Sequence, residues 1–391
     1  MGAIGLGSRL SQVVRMVERL DPDARIAAVT DPDREGVLKR LEKTANLRDN
    51  LADIKFYTEP EEMFDKEDLT GVLIGTRCSL HARLACKVAK TGLPLYLEKP
   101  IATTMDDLKA LKKAFDDSSS EVVVSFPLRL SPLVLRAKEI FASGRIGTLE
   151  QVQAINNVSY GAGYFRNWYR DYNETGGLWL QKATHDFDYV NSIVEQAPVR
   201  IAAMHSQRVM GKRKPAGLTC DVCDELETCP ESPYADFHKH GRVDHYEVAK
   251  RKCTFGEDID PRYQDNGSAL VEYANGMQMV YSQNFFVRRD AGCRGATLMG
   301  YDGTIQFNWN TPSFKLTMHH KAWTETVDCA SDGHGGGDVE LARNFIRVMR
   351  GTGKSRAPIS AGILSVYMCL KARESALTHR FLDLDLSELD A

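Results

Sequence analysis

The chain has 391 residues, 43% of them hydrophobic, and sets 50 Lys and Arg against 53 Asp and Glu for a net charge of -3. That is enough apolar material for two cores, and the length predicts two to three domains. A near-neutral balance without a long run of either sign excludes a phosphate-backbone footprint, so no nucleic-acid partner is expected, and no stretch has the apolar length of a membrane span.

Met1-Gly2-Ala3-Ile4-Gly5 opens the chain without a charged leader, which makes a cytoplasmic protein the expectation. Gly2 to Arg9 predicts a short strand running into a glycine turn, with a helix over 10–20. Gly5, Gly7, Ser8 and Arg9 at such a turn would bring backbone N–H groups to a pyrophosphate. The third glycine of G-x-G-x-x-G is replaced by Leu10. Residues 24–30 predict a second strand ending in Asp31, where an acid would hold a ribose hydroxyl and repel a 2'-phosphate, favouring NAD over NADP.

Residues 71–76 form a third apolar run, followed by Thr76, Arg77 and His81 and a helix over 82–90. Leu93 to Leu97 is a further strand, and Glu98-Lys99-Pro100 stands just past its carboxyl end, the edge at which open parallel sheets bind ligands. Proline restricts the residue before it, so Lys99 would be aimed by backbone. A strand over 121–126 closes a dinucleotide-binding domain at about residue 128, a doubly wound parallel sheet.

Beyond it, residues 149–160 predict a long strand, then an aromatic loop with Tyr164, Phe165, Trp168 and Tyr169, then Gly176-Gly177 and a helix over 178–194. Ala183, Phe187, Val190 and Val194 mark its core face, with Gln181, His185 and Tyr189 opposite and Lys182 and Asp188 nearby. Strands over 199–209, 268–274, 277–286, 296–301, 304–308 and 314–318, with Asn275-Gly276 and Asp302-Gly303 as turns, predict an open, mainly antiparallel sheet in a second, α+β domain over 129–391. The face of that sheet without helices is expected to pair with another copy, giving a homodimer or homotetramer. His334-Gly335-Gly336-Gly337-Asp338 precedes a helix over 339–350, with Asp338 as its cap and His334 a candidate substrate-loop residue. A final helix spans 359–378.

An aperiodic, Cys-rich insertion over 211–261 carries Cys220-x2-Cys223-x5-Cys229 and, after 23 further residues, Cys253. Four cysteines in a polar loop of a reducing compartment predict a tetrahedral thiolate site, most simply structural zinc, with an iron-sulfur cluster as the rival and His238, His240 and His245 as substitutes for Cys253.

Gly5-x-Gly7-x-Arg9, Asp31, Thr76 with His81, Glu98-Lys99-Pro100 and the later Gly-Gly…His-Asp-x-Asp together make the chain similar to the glucose-fructose oxidoreductase, inositol dehydrogenase and MocA family, over nearly its whole length. The resemblance implies an NAD-dependent oxidoreductase that takes hydride from a secondary hydroxyl of a sugar, cyclitol or glycoside. It implies cofactor contacts from Gly5, Gly7, Ser8, Arg9, Asp31, Thr76, Arg77, His81, Glu98, Lys99 and Arg129. Lys99 would hold the reacting oxygen and His185 would take its proton, with Arg129, Tyr164, Trp168, Gln181, Lys182 and His334 around the substrate. Gln181 stands where the family carries an acid. A redox-neutral, glycoside-cleaving enzyme and a non-catalytic NAD-binding protein are the alternatives.

Overall fold

The computed structural model describes residues 1–42, 51, 53–232, 251–328 and 334–390, with His334 described by its backbone alone. Six short strands, β1 (Gly2–Ile4), β2 (Ala28–Thr30), β3 (Lys55–Tyr57), β4 (Val72–Ile74), β5 (Leu95–Leu97) and β6 (Val122–Val124), form a fully parallel sheet in the order 3-2-1-4-5-6. Helices α1 (Ser8–Leu20), α2 (Arg34–Glu42), α3 (Pro60–Lys66), α4 (His81–Ala89) and α5 (Met105–Asp116) make the crossovers. Parallel strands covered on both faces read as unbroken apolar runs, which is why β1, β2, β4, β5 and β6 are buried throughout. β3 is an edge strand with a half-exposed pattern. Its polar, non-periodic surroundings gave no sequence signal.

After α6 (Pro132–Ala142), strand β7 (Leu149–Asn157) enters a second sheet. Two single-turn helices, α7 (Gly163–Arg166) and α8 (Tyr172–Thr175), lead into α9 (Thr184–Val194) and then strands β8 (Pro198–Ser206), β9 (Asn266–Tyr273), β10 (Gln278–Asn284), β11 (Cys293–Gly300), β12 (Gly303–Asn308), β13 (Ser313–Met318) and β14 (Thr324–Asp328). With a short β15 (Leu382–Asp383) these give a nine-stranded sheet in the order 14-13-12-11-7-10-9-8-15, antiparallel except for the pair β7 and β10. In β9 and β10 buried residues alternate with more exposed ones, so one face is apolar and covered while the other is open.

Helices α10 (Gly337–Met349) and α11 (Ile359–Thr378) return to the first sheet. Tyr96 of β5 meets Phe345 of α10 edge to face at 5.6 Å, and Val124 N–H donates to Ala357 O at 2.8 Å. The apolar core is therefore continuous from Met1 to Leu389. No helix among the described residues is long and apolar enough to cross a membrane.

The helix expected over 178–194 differs from expectation in a way that matters for the site. Trp179–Ala183 is a π-helical turn, and the α-helix proper starts at Thr184. Nor is its polar side a solvated face, since Gln181, His185, Asp186, Asp188 and Tyr189 are all buried. Facing partners from β7, β10 and β11 replace water, and hydropathy spacing carries no trace of them.

Candidate active site

Gly5 follows β1 with φ +74, a conformation that favours glycine, and a Cβ there would stand 2.4 Å from Thr76 Cγ2. α1 starts at Ser8 behind Gly7, which supplies no side-chain cap, so the first N–H groups of the helix are left for an anion. Leu10, standing where the third glycine of the motif was looked for, is fully buried. Close packing of helix on strand is kept from the other side, because a Cβ on Gly75 would lie 2.7 Å from Leu10 Cβ. The residues at this turn fit a dinucleotide.

Asp31, at the carboxyl end of β2, accepts the Leu6 N–H at 2.9 Å and the Asp33 N–H at 2.8 Å. It is thus fixed against the glycine turn. Arg9 is fixed as well. Its guanidinium lies 3.2 Å from Glu98 Oε1 and 2.6 Å from Asp338 Oδ1. Burial works against that charge, but Glu98, Tyr96 and Asp338 outweigh it and hold the Arg9 guanidinium above its ordinary value. Asp338 therefore departs from the capping role expected of it: α10 is preceded by Gly336 without a side-chain cap.

Glu98 also accepts from Ser125 Oγ at 3.0 Å. His81 joins the two loops at the sheet edge, its Nδ1 2.8 Å from Pro100 O and its Nε2 3.3 Å from Thr76 O, and burial lowers its affinity for a proton. The Lys99-Pro100 bond is cis. Lys99 Nζ donates to Gln181 O at 2.9 Å, so the amine from the edge of the first sheet meets the helix entry of the second. Burial, then the neighbouring Lys182 amine, pushes Lys99 down to about 8.

On the opposite wall, Gln181 turns inward, its Nε2 donating to Thr175 O at 3.1 Å and to Cys78 Sγ at 3.4 Å. Lys182 donates to Tyr160 Oη at 2.6 Å. His185 is buried with its ring 5.8 Å from that of Phe126. Trp168 stacks on Tyr169 at 4.0 Å and carries the Arg77 guanidinium 3.9 Å above its ring, while Tyr164 packs between Tyr160, Tyr169 and Phe285. Arg129 is engaged away from these aromatics, 3.1 Å from Asp188 and 2.9 Å from Arg356 O.

Two members of the site were missed from sequence. Tyr160 was taken as the end of a strand, and Arg294, 2.8 Å from Asp186, lay between the strands expected over 277–286 and 296–301. A single arginine just ahead of an apolar and small run was the available signal.

Cys220, Cys223, Cys229 and Cys253 line one cavity of about 20 Å³, brought together by a bridge between Thr219 and Lys252. All four are free thiols, yet among the described residues no group of three or more His, Cys, Asp or Glu side chains is placed to hold a metal ion. His238, His240 and His245 lie outside the described residues.

A six-stranded parallel sheet with an uncapped glycine turn, joined at its carboxyl edge to a helix standing on an open antiparallel sheet, defines a dinucleotide-binding oxidoreductase of two-sheet type. Residues 1–126 match the oxidoreductase family with NAD-binding Rossmann fold, residues 134–306 match the GFO/IDH/MocA C-terminal domain, and the chain belongs to the Gfo/Idh/MocA family. The putative oxidoreductase YteT of Bacillus subtilis is 28% identical, covering 87% of this chain and 87% of its own. Inositol 2-dehydrogenase 2 of Saccharopolyspora erythraea is 26% identical over 55% of this chain and 59% of its own. Among solved structures, levoglucosan dehydrogenase in complex with NADH and levoglucosan superposes with a TM-score of 0.75 over 98% of each chain at 17% identity, a likeness of fold.

Proposed function

We propose that this protein is an NAD-dependent dehydrogenase acting on a secondary hydroxyl of a sugar, cyclitol or glycoside. The observation that carries the reading is the half-buried Lys99 amine, set by the Glu98-Lys99-Pro100 segment against the helix entry at Gln181. The inositol dehydrogenase among the relatives supports the substrate class. In this reading residues 1–128 hold the cofactor, and 129–391 hold the substrate and pair with another copy through the open face of the nine-stranded sheet.

NAD, when bound, supplies the hydride acceptor. Gly5, Gly7 and Ser8 would receive its pyrophosphate at the start of α1, with Asp31 at the ribose and Thr76, Arg77 and His81 shaping the next loop. Lys99 donates a hydrogen bond to the reacting oxygen and, as a cation, stabilises the developing alkoxide. His185 takes the hydroxyl proton. Tyr164 and Trp168 would line the sugar pocket, with Arg129 and His334 at the margin. Glu98 acts through Arg9, holding the turn in place.

Incubation of the protein with NAD and a panel of monosaccharides, inositols and glucosides, with product masses checked, tests this. NADH formation with one group supports the reading and names the class. A cleaved glycoside without net NADH would replace it by the redox-neutral reaction, and turnover of none would overturn it.

We also propose that the four cysteines of the insertion hold structural zinc. Their spacing and shared cavity support this. Elemental analysis expects one zinc per chain, lost in Cys220→Ser, while iron would exchange zinc for a cluster and a metal-free protein would end the proposal.

A further inference from the structure

Beside the half-buried Lys99 the site holds a second amine, that of Lys182, which is buried with only 6% of the residue exposed. The π-helical turn Trp179–Ala183 turns Gln181 inward to Thr175 and sends Lys182 to the rim. There its Nζ lies 2.6 Å from Tyr160 Oη and 4.6 Å and 5.0 Å from the ring centroids of Tyr160 and Tyr164. Tyr160 itself is 62% exposed, so this pair stands where a ligand enters.

Asp186, the carboxylate whose charge acts on the Lys182 amine, is committed elsewhere, as are the other acids of the site. Asp186 is held by Arg294 at 2.8 Å, Asn156 at 2.7 Å and Tyr281 at 2.8 Å. Asp188 is held by Arg129, and Glu98 by Arg9 and Ser125. Gln181 brings no charge. Among the described residues Lys182 makes no ion pair; its polar partner is a neutral hydroxyl. A buried ammonium without a counter-charge is costly, and a carboxylate supplied by a ligand removes that cost through a charge-assisted hydrogen bond.

We propose that Lys182 and Tyr160 form a carboxylate subsite, so that the substrate is an acidic sugar of the uronic-acid class or its glycoside, bound with its carboxylate on Lys182 and a secondary hydroxyl toward Lys99. The inference rests on the dehydrogenase reading and narrows its substrate class. The groups facing the Lys182 amine are Lys99, Arg294, Asp186, Tyr160 and Tyr164. Burial first, then Arg294, pushes Lys182 down to about 7 against the pull of Asp186. An arriving carboxylate reverses that shift, so uronate binding takes up a proton above pH 7 and weakens as the pH rises further.

Isothermal titration of the NAD-loaded protein with D-glucuronate and D-galacturonate, against D-glucose, D-galactose, myo-inositol and glucose 6-phosphate, decides the matter. At pH 6.5 the uronates are expected to bind about tenfold or more tighter than their neutral counterparts, one charged pair's worth. The advantage disappears in Lys182→Met, persists in part in Lys182→Arg and shrinks at pH 9. NAD affinity of each variant checks that the fold is intact. Equal or tighter binding of neutral sugars, a preference for the phosphate ester, or an advantage that survives Lys182→Met would overturn the subsite. NADH formed only from neutral sugars overturns the subsite and leaves the dehydrogenase; uronate binding lost in Lys182→Met, with no NADH formed from any of the compounds, keeps the subsite and removes the dehydrogenase.

Discussion

Arg9 Nε lies 3.2 Å from Glu98 Oε1, and the same guanidinium reaches Asp338 at 2.6 Å, so one side chain ties the glycine turn to the Glu-Lys-Pro segment and to α10. The ion pair is part-buried, with Arg9 31% exposed, so its worth is below that of a fully buried one. Asp338→Ala is expected to lower stability by about 1 kcal/mol and to weaken NAD binding by loosening the turn. Urea unfolding and NADH fluorescence titration read the two effects.

Asp31 accepts from Leu6 N–H and stands at the end of β2. Replacing it with alanine removes the charge that repels a 2'-phosphate and the anchor of the turn at once. Asp31→Ala should therefore weaken NAD severalfold while narrowing or reversing the preference over NADP. Parallel titrations with the two cofactors check the ratio.

Lys182 has an ordinary value of 10.5 and is pushed down to about 7 in the fold. Unfolding thus takes up a proton between those values, and stability rises with pH across that window. Below pH 7 the cost of the buried ammonium is present in full. Lys182→Met is expected to stabilise the ligand-free protein by about 2 kcal/mol at pH 6.5, the gain fading toward pH 10. Denaturant midpoints across that range measure it; a constant difference would mean packing alone.

Strand β5, the glycine turn and helix α11 could be read from sequence because each is a local pattern: an apolar run ended by Glu98-Lys99-Pro100, two glycines before a helix, and a long amphipathic segment over Ile359–Thr378. The class of both sheets followed from alternation and turn chemistry. What escaped reading depends on contacts distant in the chain. Burial of Asp186 needs Arg294 and Asn156; the tethering of Arg9 needs Asp338, 329 residues away. The π-helical turn at Trp179–Ala183 adds one residue to the helix entry, so a face drawn at α-helical spacing assigned Gln181 and Lys182 to places they do not hold. The cysteine pattern brought four thiols to one cavity without arranging them round one point.

The central claim is that Lys99 holds the reacting oxygen, and the most direct test is the rate of NADH formation by Lys99→Met beside the unaltered protein, on whichever sugar, cyclitol or glycoside the latter oxidises. Turnover is expected to fall about a hundredfold or more with NAD affinity nearly unchanged, since Lys99 is one of many cofactor contacts but the one that holds the alkoxide. Retained turnover would contradict the account and take Lys99 out of the mechanism.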